Sequence, residues 1–181
     1  MAITQAVRGS VGSMRPWRAG QPRGWAPAGR SALDLLQLVQ DYTEECADAL
    51  PVAGDDLSAR SYELLELSDE LEIWAIHWPK DQGLELHDHG GSSGALWVVA
   101  GALEEHVVAT GGGLSQRRIE VGGGSAFGPS WIHDVVNTSD VPATSVHVYS
   151  PPMPSMTFYR QEASGLKVER AEYRADPTWA P

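Results

Sequence analysis

Leu84-Glu85-Leu86-His87-Asp88-His89-Gly90-Gly91-Ser92 decides how this chain is read, together with Trp131-Ile132-His133-Asp134-Val135-Val136-Asn137 and Ser145-Val146-His147-Val148-Tyr149 further on. In an extended strand successive side chains alternate faces, so His87 and His89 point the same way, roughly 7 Å apart along the backbone. Asp88 between them points away. A third imidazole from a separate strand would close a three-nitrogen site on one face of a metal and leave other positions open.

The spacing adds to the residues. From His89, four residues lead to Gly94 and six more to Gly101, which resembles the first cupin motif, HxH-x4-E-x6-G, with Gly94 where the acidic ligand usually stands. The second cupin motif, G-x5-P-x-G-x2-H-x3-N, is answered by Gly122, His133 and Asn137, with Gly128 and Ser130 in place of its proline and second glycine. The resemblance implies a mainly β fold: a single cupin barrel, also called a double-stranded β-helix or jelly roll, here with an N-terminal helix.

Composition is compatible with that. A chain of 181 residues suits one domain with a real core. With 42% aliphatic, aromatic and cysteine residues it is expected to fold, and no apolar run is long enough to cross a bilayer. The net charge of −11 conceals an asymmetry: residues 1–30 hold five arginines and no acid, which leaves 8 basic against 24 acidic groups beyond them. An acidic domain repels phosphate backbones, so neither nucleic acid nor membrane is an expected partner. Cys46 is the sole cysteine, which points to a reducing cytoplasm. Residues 1–30, rich in Gly, Pro, Ser and Arg, read as a flexible basic leader without a secretory signal, part of it an added extension if Met14 is the natural start. Residues 31–181 are the expected cupin domain.

Ser31 is a candidate N-cap with Asp34 three residues on, opening an amphipathic helix over Ala32–Leu50 that Pro51 and Gly54 end; Cys46 packs on its face. From Arg60 the texture changes to short apolar runs between turn residues. Ten strands are predicted: Tyr62–Leu67, Glu70–Trp78, Leu84–His89, Ala95–Ala100, Leu103–Ala109, Leu114–Glu120, Ser125–Phe127, His133–Asn137, Thr144–Ser150 and Met156–Gln161. Gly111-Gly112-Gly113 marks a hairpin tip and Gly122-Gly123-Gly124 a turn. Trp74, Ile76 and Trp78 share a strand face as core fillers, and Glu104, Glu105 and His106 are expected on a solvated face.

His87-Asp88-His89-Gly90-Gly91-Ser92 together with Ser145-Val146-His147-Val148-Tyr149-Ser150-Pro151-Pro152 resembles the cysteine dioxygenase family of thiol dioxygenases, over roughly residues 60–160. The resemblance implies that His87, His89 and His133 bind non-haem Fe(II), and that Ser145, His147 and Tyr149 form a hydrogen-bonding triad beside it. Period two makes the triad physically sensible, because alternate residues of one strand face the same side. The implied reaction inserts both atoms of dioxygen into a small thiol, cysteine or a related mercapto compound, to give a sulfinate.

Two departures from the family are expected to matter. In mammalian members a cysteine at the position of Gly94 is crosslinked to the active-site tyrosine; the glycine here matches the bacterial pattern. The family's carboxylate-gripping arginine falls, by count, at Leu64 in Tyr62-Glu63-Leu64-Leu65, so Arg60, Arg118 or Arg160 would have to replace it, or the pocket takes a neutral, amine-bearing or larger thiol beside Leu64, with Tyr62 as a further candidate substrate residue. Two alternatives share the barrel: a metal-dependent cupin enzyme with a non-thiol biosynthetic substrate, and a non-catalytic cupin that binds a ligand or partner.

Overall fold

The computed structural model describes residues 30–50, 59–109 and 113–174. One helix, α1 (Ala32–Glu45), precedes eleven strands: β1 (Ser61–Leu67), β2 (Glu72–Trp78), β3 (Gly83–His87), β4 (Ser93–Ala100), β5 (Ala102–Val108), β6 (Leu114–Glu120), β7 (Gly124–Phe127), β8 (His133–Val136), β9 (Ala143–Ser150), β10 (Ser155–Glu162) and β11 (Gly165–Tyr173). They form two antiparallel sheets, β1-β2-β9-β4-β7 and β11-β10-β3-β8-β5-β6. This is the expected mainly β cupin barrel with its N-terminal helix.

The helix starts as its sequence requires. Ser31 Oγ accepts from the Asp34 backbone N–H at 3.2 Å, which satisfies a donor the first turn leaves over. It ends at Glu45, and a 3-10 turn, Ala47–Ala49, takes the rest of the expected span; the roles of Pro51 and Gly54 fall outside the described residues. Cys46 is the C-cap, half-buried against the helix cluster. The hairpin expected at Gly111 and Gly112 also lies outside the described residues, whereas Gly122 turns with a φ of 79°.

Two apolar clusters explain why β9 is buried along its whole length. Leu35, Leu38, Val39 and Tyr42 of α1 pack on Ile73, Ala95, Val146 and Val148, the outer face of the five-stranded sheet. Trp74, Ile76 and Trp78 of β2 instead fill the space between the sheets with Leu96, Val98, Phe127, Val135, Tyr149, Met153, Met156 and Phe158. Residues 145, 147 and 149 therefore face the barrel interior while 146 and 148 lie under the helix, as a period of two demands.

All ten expected strands are present, with two differences that matter. An eleventh, β11, pairs with β10 as a hairpin edge. The strand expected to carry both His87 and His89 stops at His87. Asp88 then holds a turn: its Oδ1 accepts from Gly90 N at 2.9 Å and Thr157 N at 3.3 Å, and its Oδ2 accepts from the Tyr159 hydroxyl at 2.6 Å. Gly90 has a φ of 60°, and a Cβ there would lie 2.6 Å from Ser155 Oγ and 2.7 Å from its carbonyl oxygen. Ladder pairing thus orients His87, and a pinned turn orients His89.

Candidate metal centre

His87, His89 and His133 come together inside the barrel with ligating nitrogens within 4.8 Å of one another, each ring 2% exposed or less. His87 and His133 are directly paired across β3 and β8, and His89 returns from the turn to face them. His87 Nδ1–H donates to the Glu85 carbonyl at 2.8 Å, and His133 Nδ1–H donates to Glu105 Oε1 at 2.6 Å. Each bond fixes the tautomer and leaves the other ring nitrogen with its lone pair. His89 Nε2 lies 3.2 Å from His133 Nε2. With metal–imidazole bonds of about 2.1 Å, adjacent ligand nitrogens sit roughly 3.0–3.4 Å apart, a spacing the His89–His133 pair already has within a three-histidine group able to hold a metal ion. Burial, and after it the other imidazoles, holds His87 and His89 well below the ordinary histidine pKa, which keeps them neutral as ligands must be.

Gly94 is a packing solution. It stands opposite both Phe127 and Tyr149 in the sheet, and a Cβ there would lie 2.3 Å from Phe127 Cε2 and 2.9 Å from Tyr149 Cδ1. The Phe127 ring stacks on His89 with centroids 4.5 Å apart and a 20° tilt. An aromatic ring takes the volume in which the usual acidic side chain, or a crosslinking cysteine, would stand.

The expected solvated face at residues 104–106 is corrected. Glu105 is fully buried, in phase with Leu103 and Val107, and is the carboxylate on His133. Arg117 Nε donates to its Oε2 at 2.6 Å, Ser125 Oγ donates to its Oε1 at 3.1 Å, and Arg117 also reaches Ser125. Burial pushes the Glu105 carboxyl up, but the hydrogen bond and charge of His133 together with Arg117 outweigh it and bring the pKa to about 2. Glu104 and His106 are part-buried and pair with each other at 3.1 Å.

On the opposite sheet Ser145 Oγ lies 2.8 Å from His147 Nε2, and His147 Nδ1 lies 3.2 Å from Tyr149 Oη. Tyr149 faces His89 with ring centroids 5.4 Å apart. Burial first, then His133 and Arg60, brings the His147 pKa down to about 3; burial and the Glu72 carboxylate push the Tyr149 hydroxyl well above its usual value. Both are neutral at ordinary pH.

The candidate substrate residues separate. Arg60, just ahead of β1, lies over the Tyr62 ring at 5.8 Å and the Trp78 ring at 5.4 Å, and its charge reaches His87, His147 and Tyr149. Tyr62 packs edge-on against Trp74 at 6.2 Å. Leu64 pairs with Trp74 on the edge strand and is 42% exposed. Arg160 bridges Glu162 and Glu169, and Arg118 bridges Glu120, all on the surface of the other sheet.

The sequence profile described as cysteine dioxygenase type I matches residues 32–162. Among solved structures, recombinant oxalate oxidase in complex with glycolate is 13% identical at a TM-score of 0.52, covering 60% of this chain and 59% of its own. The TT1209 protein from Thermus thermophilus is 19% identical at a TM-score of 0.48, over 55% of this chain and 90% of its own. KdgF from Halomonas sp. is 16% identical at 0.47, over 54% and 84%. At these identities the oxalate oxidase likeness speaks for the fold alone. No helix among the described residues is long and apolar enough to cross a membrane.

Proposed function

The chain belongs to the cysteine dioxygenase type I family, its three-histidine site being consistent with Fe(II)-dependent thiol dioxygenase activity, and from that premise we propose that it converts a small carboxylate-bearing thiol, cysteine first, into its sulfinate. The observation that carries this reading is the placement of three buried imidazoles opposite a Ser-His-Tyr chain, with the Arg60 guanidinium over the Trp78 ring whose indole bonds that chain. A single cysteine in the chain suits a cytoplasmic enzyme.

Ferrous iron, which His87, His89 and His133 would hold, would supply a common binding point for thiolate and dioxygen and the redox capacity to join them. The chain's own residues do the rest. Imidazoles bring no negative charge of their own, so this ligand set would leave the ion's double charge to favour the substrate sulfur as thiolate. Arg60 is the carboxylate anchor, so the guanidinium absent at Leu64 is supplied from just ahead of the same strand. Two aromatic faces beneath it keep it oriented. Tyr149 offers its hydroxyl proton to the reacting oxygen, and His147 and Ser145 orient it. The surrounding apolar wall of Phe127, Met153, Met156 and Phe158 excludes water. In balance, a thiolate and one O2 give one sulfinate, with both oxygen atoms retained.

Anaerobic loading with Fe(II), then oxygen uptake with cysteine, 3-mercaptopropionate, cysteamine and mercaptosuccinate, tests this. Uptake with a carboxylate-bearing thiol, one sulfinate per O2 and a much higher KM in Arg60→Ala are expected. Uptake only with cysteamine would remove Arg60 from its role; uptake with none of the four would overturn the thiol reading.

A further inference from the structure

The hydrogen-bond chain does not end at Ser145. The indole Nε1 of Trp78 lies 2.8 Å from Ser145 Oγ, and Trp78 is 1% exposed. Asn137 Nδ2 donates to the Trp78 carbonyl at 2.8 Å, which fixes the end of β2 that carries the ring. An indole N–H donates and never accepts, so Ser145 Oγ is the acceptor of this bond.

That direction propagates. Ser145 is fully buried, and its other hydrogen-bond neighbour among the described residues is His147 Nε2 at 2.8 Å. Were Nε2 protonated, Ser145 would receive two donors and its own proton would be buried without an acceptor, an arrangement native structures avoid. Ser145 therefore donates to Nε2. A neutral imidazole carries one N–H, which then sits on Nδ1 and donates to Tyr149 Oη at 3.2 Å. Tyr149 accepts from His147, and its own proton is left for an acceptor on the side of the imidazole cluster. Without Trp78, Ser145 could accept from Nε2–H with its own proton turned to the indole's place. The tyrosine could then spend its proton on His147 Nδ1.

We infer that Trp78 is a positioning residue: as a donor-only group at the far end of the chain it fixes His147 as the Nδ1–H tautomer and so directs the Tyr149 proton towards the metal centre. The same indole carries the Arg60 guanidinium over its face at 5.4 Å, so one side chain sets both the substrate anchor and the proton donor. The catalytic consequence rests on the thiol dioxygenase reading, whereas the tautomer does not.

Long-range 15N–1H correlation spectra of the full chain, 15N-labelled at histidine and loaded with diamagnetic Zn(II), read the tautomer directly, with His147→Gln assigning the signal. The wild type is expected to show His147 protonated at Nδ1 and bare at Nε2, and Trp78→Phe, which keeps an aromatic face under Arg60, to lose that preference. A wild-type ring protonated at Nε2, or a Trp78→Phe protein with an unchanged tautomer, overturns the inference. Should Trp78→Phe not fold, the wild-type spectrum still decides. With iron, Trp78→Phe is expected to lower kcat about tenfold with KM for cysteine within about twofold; equal loss in both would mark a merely structural residue. Wild-type protein that shows the expected tautomer but oxidises no thiol would sink the functional reading and leave the tautomer assignment standing.

Discussion

The two sheets that close this barrel support their functional residues in opposite ways. The six-stranded sheet carries His87 and His133 on β3 and β8, and backs His133 with a buried carboxylate whose charge is shared with Arg117. The five-stranded sheet carries Ser145, His147 and Tyr149 on β9, and ends their hydrogen-bond chain on the neutral indole of Trp78. Charge close to a ligand raises its basicity and holds a cation; a neutral chain keeps a proton available without competing for the metal. The division predicts that metal affinity and proton donation are separable by mutation.

The largest separation should come from His133→Ala against Tyr149→Phe. The first is expected to lose Fe(II) binding by well over a hundredfold in an anaerobic titration. The second should bind Fe(II) within about threefold of wild type yet turn over roughly ten- to a hundredfold more slowly. Equal loss of metal in both would mean that the sheets do not divide the work. Next, Glu105→Gln removes the charge but keeps the shape, and metal affinity is expected to fall about ten- to a hundredfold; unchanged affinity would reduce Glu105 to a packing residue.

Gly94→Ala puts a methyl group against Phe127 and Tyr149, so chemical denaturation should show a loss of about 1–3 kcal/mol. The loss should shrink in a Phe127→Leu background. If Gly94→Ala is as stable as wild type, the aromatic ring is not what excludes a side chain there.

The smallest effect concerns pH in the metal-free protein. Burial brings His147 to about 3, against about 6.5 in an unfolded chain, so the unfolded state binds more protons between those values. Its stabilisation is present above about pH 6.5 and lost as pH falls towards 3, with a slope of up to about 1.4 kcal/mol per pH unit. Glu105, held at about 2, keeps its contribution until pH falls below the ordinary carboxylate range and loses it on approach to 2. The buried imidazoles His147, His87 and His89, all with lowered pKa, should therefore weaken the fold before Glu105 does on acidification, and denaturation curves that stay flat between about pH 6.5 and 4 would contradict that order.

Much of this was legible in the sequence. Ser31 and Asp34 mark the helix start, and alternation at Ser145-Val146-His147-Val148-Tyr149 separates the residues that face the barrel from those under the helix. β11 escaped because it is an edge strand whose Lys167, Glu169 and Arg170 are all exposed, so no apolar alternation announces it. Glu105 left a usable signal, being in phase with the apolar Leu103 and Val107; three adjacent polar residues obscured it. Gly94 meets Phe127, and Trp78 meets Ser145, only through pairing of strands distant in the chain, which local pattern does not encode. Arg60 precedes its strand and has no periodicity to place it over Trp78.

The most direct test is X-ray absorption on Fe(II)-loaded full-length protein without oxygen, before and after adding cysteine. One iron per chain with three imidazole nitrogens, gaining a sulfur ligand on addition and losing its site in His133→Ala, is the predicted result. Iron that keeps an all-nitrogen and oxygen shell with cysteine present, or that binds equally well in His133→Ala, would contradict it.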